Sequence, residues 1–318
     1  MMPLCKNPYM VGSIPCPCNK CIPCLINRKR LWTHRILLES YAHEHNAFVT
    51  LTYTDENLCF KNPKTDEELL HSTLNPLHLK NFIKRLRRAT DPQRLRFYAV
   101  GEYGDKSWRP HYHLALFGYE PCWYGSTRKD KHAKGKPCCP PCDLIFNKWK
   151  FGGIDNATVE NDSAGYIAGY VTKKLTKADD TRLLGRHPEF ARQSNRPGIG
   201  ALCIETLADT LFAKFGKNAL TEHSDVPLSL THGSRSLPLG RYLRGKLRDS
   251  VGVNEATTER TKNAYQEEML SLFQAHLSDP QVPPEKKLSF KKFIQDQDAQ
   301  KILNIETRHK LNQRKRNL

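Results

Sequence analysis

The most constraining feature of this chain is the alternation of side chains in residues 109–118. In a β-strand, side chains point alternately to the two faces of the sheet, so residues two apart share a face. His111 and His113 therefore share one face of a predicted strand. The other face carries Tyr112, Leu114 and Leu116, which suit a core. The segment predicts a strand with one hydrophobic side and one side that bears two imidazoles.

Periodicity predicts further elements on both sides of this strand. Strands are predicted at 48–53, 97–102, 111–117 and 154–159. Helices are predicted at 25–45, 75–88 and 162–177. Asn75 and Pro76 are a typical N-cap and first-turn pair for the second of these helices. Because 97–102 and 111–117 follow each other directly, they should pair antiparallel. The sequence thus predicts the α+β class.

Four regions are expected in a chain of 318 residues. They are a Cys-rich N-terminal segment with a basic helix (1–46), an α+β core (47–180), an accessory region packed on that core (181–254) and a basic helical C-terminal extension (255–318). Within the core, residues 118–150 are rich in Lys, Gly, Pro and Cys, which indicates an insertion.

Two histidines on one strand face can bind a divalent cation when a further ligand is close. Glu102 lies on the preceding predicted strand and can supply a carboxylate oxygen. Mixed nitrogen and oxygen ligation, with positions left open for a substrate phosphate, suits Mg²⁺ or Mn²⁺, and Zn²⁺ also binds such sets. A histidine pair on a strand also occurs in ordinary packing, so His111 and His113 alone do not establish a metal site.

The predicted helix at 162–177 carries two tyrosines away from its apolar side. At about 100° per residue, one sector of the helix holds Tyr166, Tyr170, Lys173 and Lys177. A separate apolar stripe is expected to be buried: Ala164, Ile167, Ala168, Val171 and Leu175. An activated phenol is a nucleophile and a lysine can hold phosphate oxygens, so the tyrosine face is a candidate catalytic surface. Packing or an interface is the alternative for such a pair.

The chain is strongly basic. Lys and Arg number 50 against 33 Asp and Glu, which gives a formal charge of +17 and a pI of about 9.4. Such an excess favours a polyanionic partner, usually nucleic acid. The side chains expected to contact DNA are Lys84, Arg85, Arg87, Arg88, Arg109, Lys174 and Lys177. A solvated charged surface is the alternative.

Several functional classes are disfavoured by what the sequence lacks. It contains no GxxxxGK followed by Ser or Thr, so an ATP-driven motor is not expected. It has neither a secretory signal nor an apolar stretch long enough to span a membrane. The chain is expected to work in a reducing cytoplasm, where its 11 cysteines are thiols or metal ligands rather than disulfides.

Two groups of cysteines have metal-ligand spacing. Cys16, Cys18, Cys21 and Cys24 precede the first predicted helix and are the candidate ligands of a structural Zn²⁺, with Cys5 as a further candidate. The second group comprises Cys122, His132, Cys138, Cys139 and Cys142. A reduced loop without metal is the alternative for both. Cys59 and Cys203 are interpreted as small hydrophobic residues.

Three segments together resemble the HUH endonuclease superfamily, and most closely the replication initiators of small single-stranded DNA phages, the microviruses of the gokushovirus type. Residues 48–53 resemble its first motif and His111 to His113 its second. Tyr166, Tyr170 and Lys173 resemble its two-tyrosine motif, and the order along the chain agrees. The resemblance extends over residues 16–245.

This resemblance implies a fold and an activity. The fold would be a central antiparallel sheet with packed helices, close to the RNA-recognition-motif topology. His111, His113 and an acidic residue, assigned to Glu102, would bind metal, and Tyr166 and Tyr170 would nick origin single-stranded DNA and form a 5′-phosphotyrosine. A host helicase and polymerase would be partners.

Other functions agree with parts of the sequence. Within the superfamily, a plasmid initiator, a relaxase or a transposase would use the same residues. In another class, a non-catalytic zinc-containing nucleic-acid-binding protein would account for the charge and the cysteines. The oligomeric state does not follow from the sequence.

Overall fold

The computed structural model describes residues 4–12, 14–126, 137–169, 179–216, 225–253 and 255–317. The chain divides into two compact units: Trp32–Ile204 is one, and Met1–Leu31 with Glu205–Leu318 is the other. None of the described helices is long and apolar enough to cross a membrane. The boundaries of the four regions expected from the sequence stay a prediction.

The elements alternate between strands and helices in the first two thirds of the chain and are helical at its end. The strands are β1 (Tyr9–Val11), β2 (Ile14–Cys16), β3 (Asn46–Thr52), β4 (Arg96–Tyr103), β5 (Pro110–Phe117), β6 (Ile154–Thr158), β7 (Phe190–Gln193), β8 (Ser229–His232) and β9 (Arg235–Pro238). The helices are α1 (Ile22–Tyr41), α2 (Pro76–Ala89), α3 (Pro140–Trp149), α4 (Asn161–Gly169), α5 (Ile204–Phe215), α6 (Gly240–Val251), α7 (Glu255–Ser278), α8 (Phe290–Gln297) and α9 (Ala299–Asn317).

The centre of the first unit is a five-stranded antiparallel sheet in the order β6-β3-β5-β4-β7. The middle strand β5 pairs with β3 over its length, from Asn46 opposite Phe117 to Thr52 opposite His111. A strand covered on both faces is apolar along most of its length, which explains why β5 is so rich in large hydrophobic residues. The predicted α+β class with a central antiparallel sheet is confirmed. The short strand β7 is an addition that the sequence pattern does not reveal.

One face of the sheet carries the main hydrophobic core, formed with α2 and α3. Phe82 of α2 meets Trp149 of α3 edge to face, with ring centroids 5.9 Å apart. Trp149 is fully buried and donates its indole N–H to the carbonyl oxygen of Thr52 at 2.8 Å. Although the composition of residues 118–150 indicates an insertion, α3 is therefore part of the core.

Helix α2 begins where the sequence predicts. The side chain of the N-cap Asn75 accepts a hydrogen bond from the Leu77 N–H at 3.0 Å, and Pro76 occupies the first turn. The apolar residues at helical spacing are all buried: Leu79, Phe82, Ile83 and Leu86. The basic residues of this helix consequently project from the side that faces away from the sheet.

The opposite face of the sheet is covered by α4 and by the part of α1 that begins at Trp32. The ring of Trp32 lies over Tyr98 of β4, with centroids 4.9 Å apart. The described part of the apolar stripe on α4 is completely buried: Ala164, Ile167 and Ala168. Burial of this stripe turns the other side of α4 toward solvent.

A buried ion pair joins α1 to β4 in this layer. Glu39 and Arg96 form the pair, and both side chains are nearly inaccessible to solvent. Gly200 N–H donates to Glu39 at 2.6 Å, and Arg96 donates to the Pro197 carbonyl oxygen at 2.8 Å. The pair thereby also holds the turn at residues 196–200, which carries the Arg-Pro-Gly sequence.

The second unit contains the N-terminal hairpin, a second hairpin of β8 and β9, and helices α5 to α9. Asp225 accepts hydrogen bonds from Arg244 at 2.5 Å and from Arg248 at 2.7 Å, which ties α6 to the chain before β8. Phe273 of α7 contacts Phe290 and Phe293 of α8, at centroid distances of 5.0 and 5.6 Å. The predicted helical C-terminal extension is confirmed.

Candidate metal and tyrosine site

Glu102, His111 and His113 meet on the sheet face that α4 covers. Glu102 of β4 is directly opposite His111 of β5, and His113 lies two residues further along β5 on the same face. Glu102 and His113 are buried, while His111 is partly exposed. The antiparallel register thus brings together the three residues that the sequence nominates.

The two imidazoles converge on one carboxylate oxygen. Oε1 of Glu102 lies 2.6 Å from Nε2 of His111 and 3.2 Å from Nε2 of His113. One ligand atom from each residue fits within a sphere of contacts no longer than 4.8 Å. Three donors at this spacing can bind a single divalent cation and leave further coordination positions open.

The other ring nitrogen of each histidine is held by the protein. Nδ1 of His111 lies 3.1 Å from the carbonyl oxygen of Arg109, and Nδ1 of His113 lies 2.9 Å from Oγ1 of Thr50. Because a carbonyl oxygen only accepts, Nδ1 of His111 carries the hydrogen, and the lone pair on Nε2 faces Glu102. Two acceptors 2.6 Å apart call for a cation or a proton between them, so the donor set fits a metal ion.

Tyr166 of α4 stands beside the histidines. Its ring contacts the His113 ring edge to face, with centroids 5.2 Å apart and an interplanar angle of 84°. Phe48 of β3 lies next to both rings, stacked on His113 at 5.8 Å and edge-on to Tyr166 at 6.2 Å. Half of the Tyr166 side chain is exposed, so a strand of nucleic acid can approach it.

The start of α4 differs slightly from the sequence prediction. Asp162 or Ser163 is expected as the N-cap, whereas the helix already begins at Asn161. The hydroxyl of Ser163 accepts from the Glu160 N–H at 2.7 Å and donates to the Glu160 carbonyl oxygen at 2.9 Å. Ser163 therefore satisfies the backbone from inside the first turn.

The remaining residues of the tyrosine motif lie outside the described residues. These are Tyr170, Lys173, Lys174 and Lys177. Tyr166 is the described member of the motif, and its contact with His113 connects the motif to the metal-ligand candidates.

Comparison with known proteins points to the same part of the chain. Residues 46–175 match the model of a family described as replication-associated protein, ORF2 type. The chain is also 32% identical over 221 residues to the replication-associated protein VP4 of Bdellovibrio phage phiMH2K, a match that covers 69% of this chain and 66% of the relative. The chain belongs to this family of replication-associated proteins.

Two further members of the family are similar over long stretches. Replication-associated protein ORF4 of Chlamydia phage 1 is 31% identical over 271 residues, which cover 82% of this chain and 60% of the relative. Replication-associated protein ORF2 of Spiroplasma virus 4 is 33% identical over 199 residues, 61% of this chain and 58% of the relative. This family member thus spans 58 to 66% of the lengths of these three relatives. No solved structure matches the chain.

Most of the predicted DNA contacts lie away from the histidines in this replication-associated protein. Lys84, Arg85, Arg87 and Arg88 belong to α2, on the other face of the sheet. Arg85 donates to the Lys148 carbonyl oxygen at 2.9 Å and Arg87 to that of Leu95 at 3.1 Å, so these two also have structural contacts. Their contact with DNA stays a prediction.

Arg109 lies at the edge of the candidate site. Its guanidinium donates to Asp55 at 2.5 Å and to the Tyr53 carbonyl oxygen at 2.7 Å, while its own carbonyl oxygen contacts His111. Arg109 thus positions the backbone that orients His111. The ion pair with Asp55 already neutralises part of the charge that the sequence assigns to DNA.

Thr50 and Asp155 are site residues that sequence reasoning missed. Both lie on the histidine face, because Thr50 is paired with His113 on one side and with Asp155 of β6 on the other. Ser126 donates to Asp155 at 3.0 Å. The alternation of β3 places Thr50 on the same face as Phe48, but only the register reveals which histidine it contacts.

The N-terminal cysteine cluster differs by one ligand from the sequence prediction. The thiols that converge are those of Cys5, Cys18, Cys21 and Cys24, and Cys16 is not among them. Cys16 ends β2 opposite Tyr9, whereas the chain before β1 returns across the hairpin and brings in Cys5. Cys5 and Cys21 are 3.9 Å apart.

The electrostatics of this cluster favour a thiolate. Burial opposes ionisation of Cys18, but backbone N–H groups of Lys20 and Cys21 donate to its sulfur and lower its pKa to about 6. Burial raises the pKa of the Cys24 thiol. A bound cation would favour the ionised form of all four sulfurs.

A second set of four thiols lies in the core of the first unit. It consists of Cys122, Cys138, Cys139 and Cys142. His132, the other candidate of this group, lies outside the described residues. The described cysteines are all free thiols.

Proposed function

We propose that this chain initiates rolling-circle replication by nicking origin single-stranded DNA with a tyrosine. Membership of the replication-associated protein family supports the replication role. The observation that carries the chemistry is the contact of the half-exposed Tyr166 ring with His113, at a centroid distance of 5.2 Å. A nucleophile beside a candidate metal-binding set is what cleavage of a phosphodiester requires.

The proposed step exchanges one phosphate ester for another. The phenolic oxygen of Tyr166 or Tyr170 loses its proton and bonds to the scissile phosphorus. The bond from phosphorus to the 3′ oxygen breaks, and that oxygen takes up a proton to become a free 3′-OH. The 5′ phosphate stays on tyrosine as an ester, so its later transfer to a 3′-OH closes a circle without ATP. A second tyrosine allows a second cleavage while the first holds its DNA end.

The chain's own side chains have distinct tasks in this step. Glu102, His111 and His113 would hold Mg²⁺ or Mn²⁺, which when bound withdraws charge from a phosphate oxygen. Thr50 and the carbonyl of Arg109 orient the two imidazoles. Lys173 would contact the phosphate oxygens. The exposed side of Tyr166 leaves room for the DNA strand.

The same proposal includes a structural metal and partners. Cys5, Cys18, Cys21 and Cys24 would hold Zn²⁺ and fix the N-terminal hairpin to the start of α1. The DNA partner is the single-stranded replication origin, with a host helicase and polymerase acting on the nicked product. The place of action is the cytoplasm of a bacterial host.

A nicking assay tests the proposal. Full-length protein is incubated with a pool of labelled single-stranded oligonucleotides with Mn²⁺ or with EDTA, and covalent protein–DNA adducts are separated by denaturing electrophoresis. Wild type should form adducts only with Mn²⁺, and mass spectrometry should place the DNA on a peptide within 160–177. The Tyr166→Phe/Tyr170→Phe variant should form none, while Tyr124→Phe, a change at another exposed tyrosine, should match wild type.

The metal half of the proposal has its own variant. His113→Ala should abolish cleavage and leave salt-sensitive DNA binding intact, because the ligand set lies apart from most basic residues. Adducts persisting in the double tyrosine variant would refute the assigned nucleophiles. DNA binding without cleavage in wild type would instead favour a non-catalytic zinc-containing protein.

A further inference from the structure

The cysteine cluster inside the first unit is placed independently of the candidate nicking site. Cys122 follows β5, Cys138 and Cys139 immediately precede α3, and Cys142 lies in the first turn of α3. Cys142 is fully buried, and Cys122 and Cys139 are 4% and 8% exposed. These thiols lie on the α3 side of the sheet, whereas Glu102, His111 and His113 face α4.

The separations between the sulfurs match a tetrahedron around one metal ion. A zinc–sulfur bond of about 2.3 Å implies a sulfur–sulfur edge of about 3.8 Å. The sulfur of Cys122 lies 3.4 Å from that of Cys138 and 3.8 Å from that of Cys139, and Cys138 lies 3.9 Å from Cys142. These distances are far from the roughly 2.05 Å of a disulfide.

The surroundings of the sulfurs suit negative charge. Cys139 is the N-cap of α3 and Cys142 lies in its first turn, where free N–H groups and the helix dipole stabilise an anion. The buried side-chain amide of Asn156 in β6 donates to the Cys142 sulfur at 3.7 Å. The cluster at Cys5, Cys18, Cys21 and Cys24 has the same plan: two thiols three residues apart at a helix start and a further thiol from upstream chain.

We infer that Cys122, Cys138, Cys139 and Cys142 bind a structural Zn²⁺ within the core unit. Four thiolates complete its coordination, so His132 is not required as a ligand. A closed tetrathiolate shell leaves no position for substrate, which makes the ion structural rather than catalytic. The ion joins the two ends of the segment 123–137 and holds the start of α3, the helix that carries the buried Trp149.

Metal content of the full-length protein tests this inference. The protein is purified without a histidine tag, and bound metal is measured by inductively coupled plasma mass spectrometry. Cys142→Ser should lower the zinc content by one ion per chain relative to wild type, and so should Cys24→Ser, which disrupts the N-terminal cluster instead. Cys203→Ser, a cysteine outside both clusters, should leave the content unchanged. An unchanged zinc content in Cys142→Ser, or iron in place of zinc, would overturn the inference.

A second measurement on wild type covers the case in which Cys142→Ser fails to fold. Thiols are alkylated before and after treatment with a chelator and located by peptide mass spectrometry. Cys122, Cys138, Cys139 and Cys142 should be protected together and become reactive together after chelation, while the partly exposed Cys59 should react in both samples. Cys138 reacting as fast as Cys59 before chelation, or a disulfide between Cys122 and Cys138, would contradict a bound zinc. Both measurements are independent of nicking.

Discussion

Thr50 is the residue whose hydroxyl determines how His113 is presented. Its Oγ1 lies 2.9 Å from Nδ1 of His113, and the other ring nitrogen faces Glu102. With Nε2 turned to the ligand position, Nδ1–H donates to Thr50, which fixes the tautomer and the rotation of the ring. Thr50 is buried, so water does not replace this hydrogen bond at low cost.

Replacing Thr50 by valine should weaken metal binding without abolishing the fold. Loss of a hydrogen bond to a metal-binding histidine typically costs about 10- to 100-fold in metal affinity. Calorimetric titration of Thr50→Val with Mn²⁺ should give a dissociation constant raised by about that factor. Thr52→Val is the matched control, because the Thr52 hydroxyl donates to the Gly153 carbonyl oxygen instead of a histidine. Equal Mn²⁺ affinity in both variants would disprove the role of Thr50.

Glu39 is the residue with the largest expected effect on stability. Burial alone would raise its pKa, but hydrogen bonds from His43, Arg96 and the Gly200 N–H lower the pKa below its ordinary value. Because the folded-state pKa is depressed, the stabilisation is present above the unfolded-state pKa of about 4.3 and is lost as the pH falls through the folded-state pKa.

The variant Glu39→Gln should be less stable than wild type by about 3 kcal/mol at neutral pH, since it leaves the Arg96 charge buried without an anionic partner. The difference should shrink below the unfolded-state pKa, where wild type loses its own carboxylate. Urea unfolding over a pH series measures both effects. A stability difference that stays constant down to strongly acidic pH would contradict the assignment of the depressed pKa to Glu39.

At the scale of elements, α3 decides how the core of the first unit is built. Its sequence follows a polar, Lys-rich stretch, yet Ile145 and Trp149 are fully buried. Trp149 contacts Tyr53 and Tyr112, with centroids 5.3 and 5.6 Å apart. The helix consequently supports, from the opposite side, the same strands that present the histidines.

Truncation of Trp149 separates a core helix from a surface insertion. Trp149→Ala should lower the free energy of unfolding by about 3–5 kcal/mol, the usual cost of removing a buried aromatic ring. Trp123→Ala changes a tryptophan of the same segment that is 58% exposed, and it should cost less than about 0.5 kcal/mol. Similar urea midpoints for the two variants would show that α3 does not contribute to the core.

For the molecule as a whole, the net charge of +17 dominates its interaction with DNA. The basic residues of α2 lie on the other face of the sheet from Tyr166, and Lys84 and Arg88 are exposed there. Charges in such a position add affinity without touching the cleaved phosphate. Their contribution is expected to be independent of sequence and sensitive to salt.

The double variant Lys84→Ala/Arg88→Ala should bind single-stranded DNA with a weaker salt dependence. Removing one lysine or arginine from a phosphate should reduce the slope of log affinity against log salt by about 0.7. Fluorescence anisotropy at several salt concentrations measures this slope. The charge-preserving variant Lys84→Arg/Arg88→Lys should keep the wild-type slope. A wild-type slope in the alanine variant would remove α2 from the DNA-binding surface.

Features that depend on local periodicity were predictable from the amino-acid sequence. Alternation in β5 placed His111 and His113 on one face, and helical spacing separated Tyr166 from the buried stripe of α4, because side-chain direction follows from the backbone of a single element. The cap at Asn75 is local for the same reason. Motif order then sufficed to indicate the family.

Which distant residues meet depended on the folded chain. The register of β3 against β5 brought Thr50 to His113, and the turn of the N-terminal hairpin selected Cys5 instead of Cys16. Burial of α3 depended on the sheet beneath it and not on the polar segment before it. These outcomes arise from long-range packing and pairing, which hydrophobic burial and backbone hydrogen bonding select jointly over the whole chain. Periodicity within one segment contains no information about them.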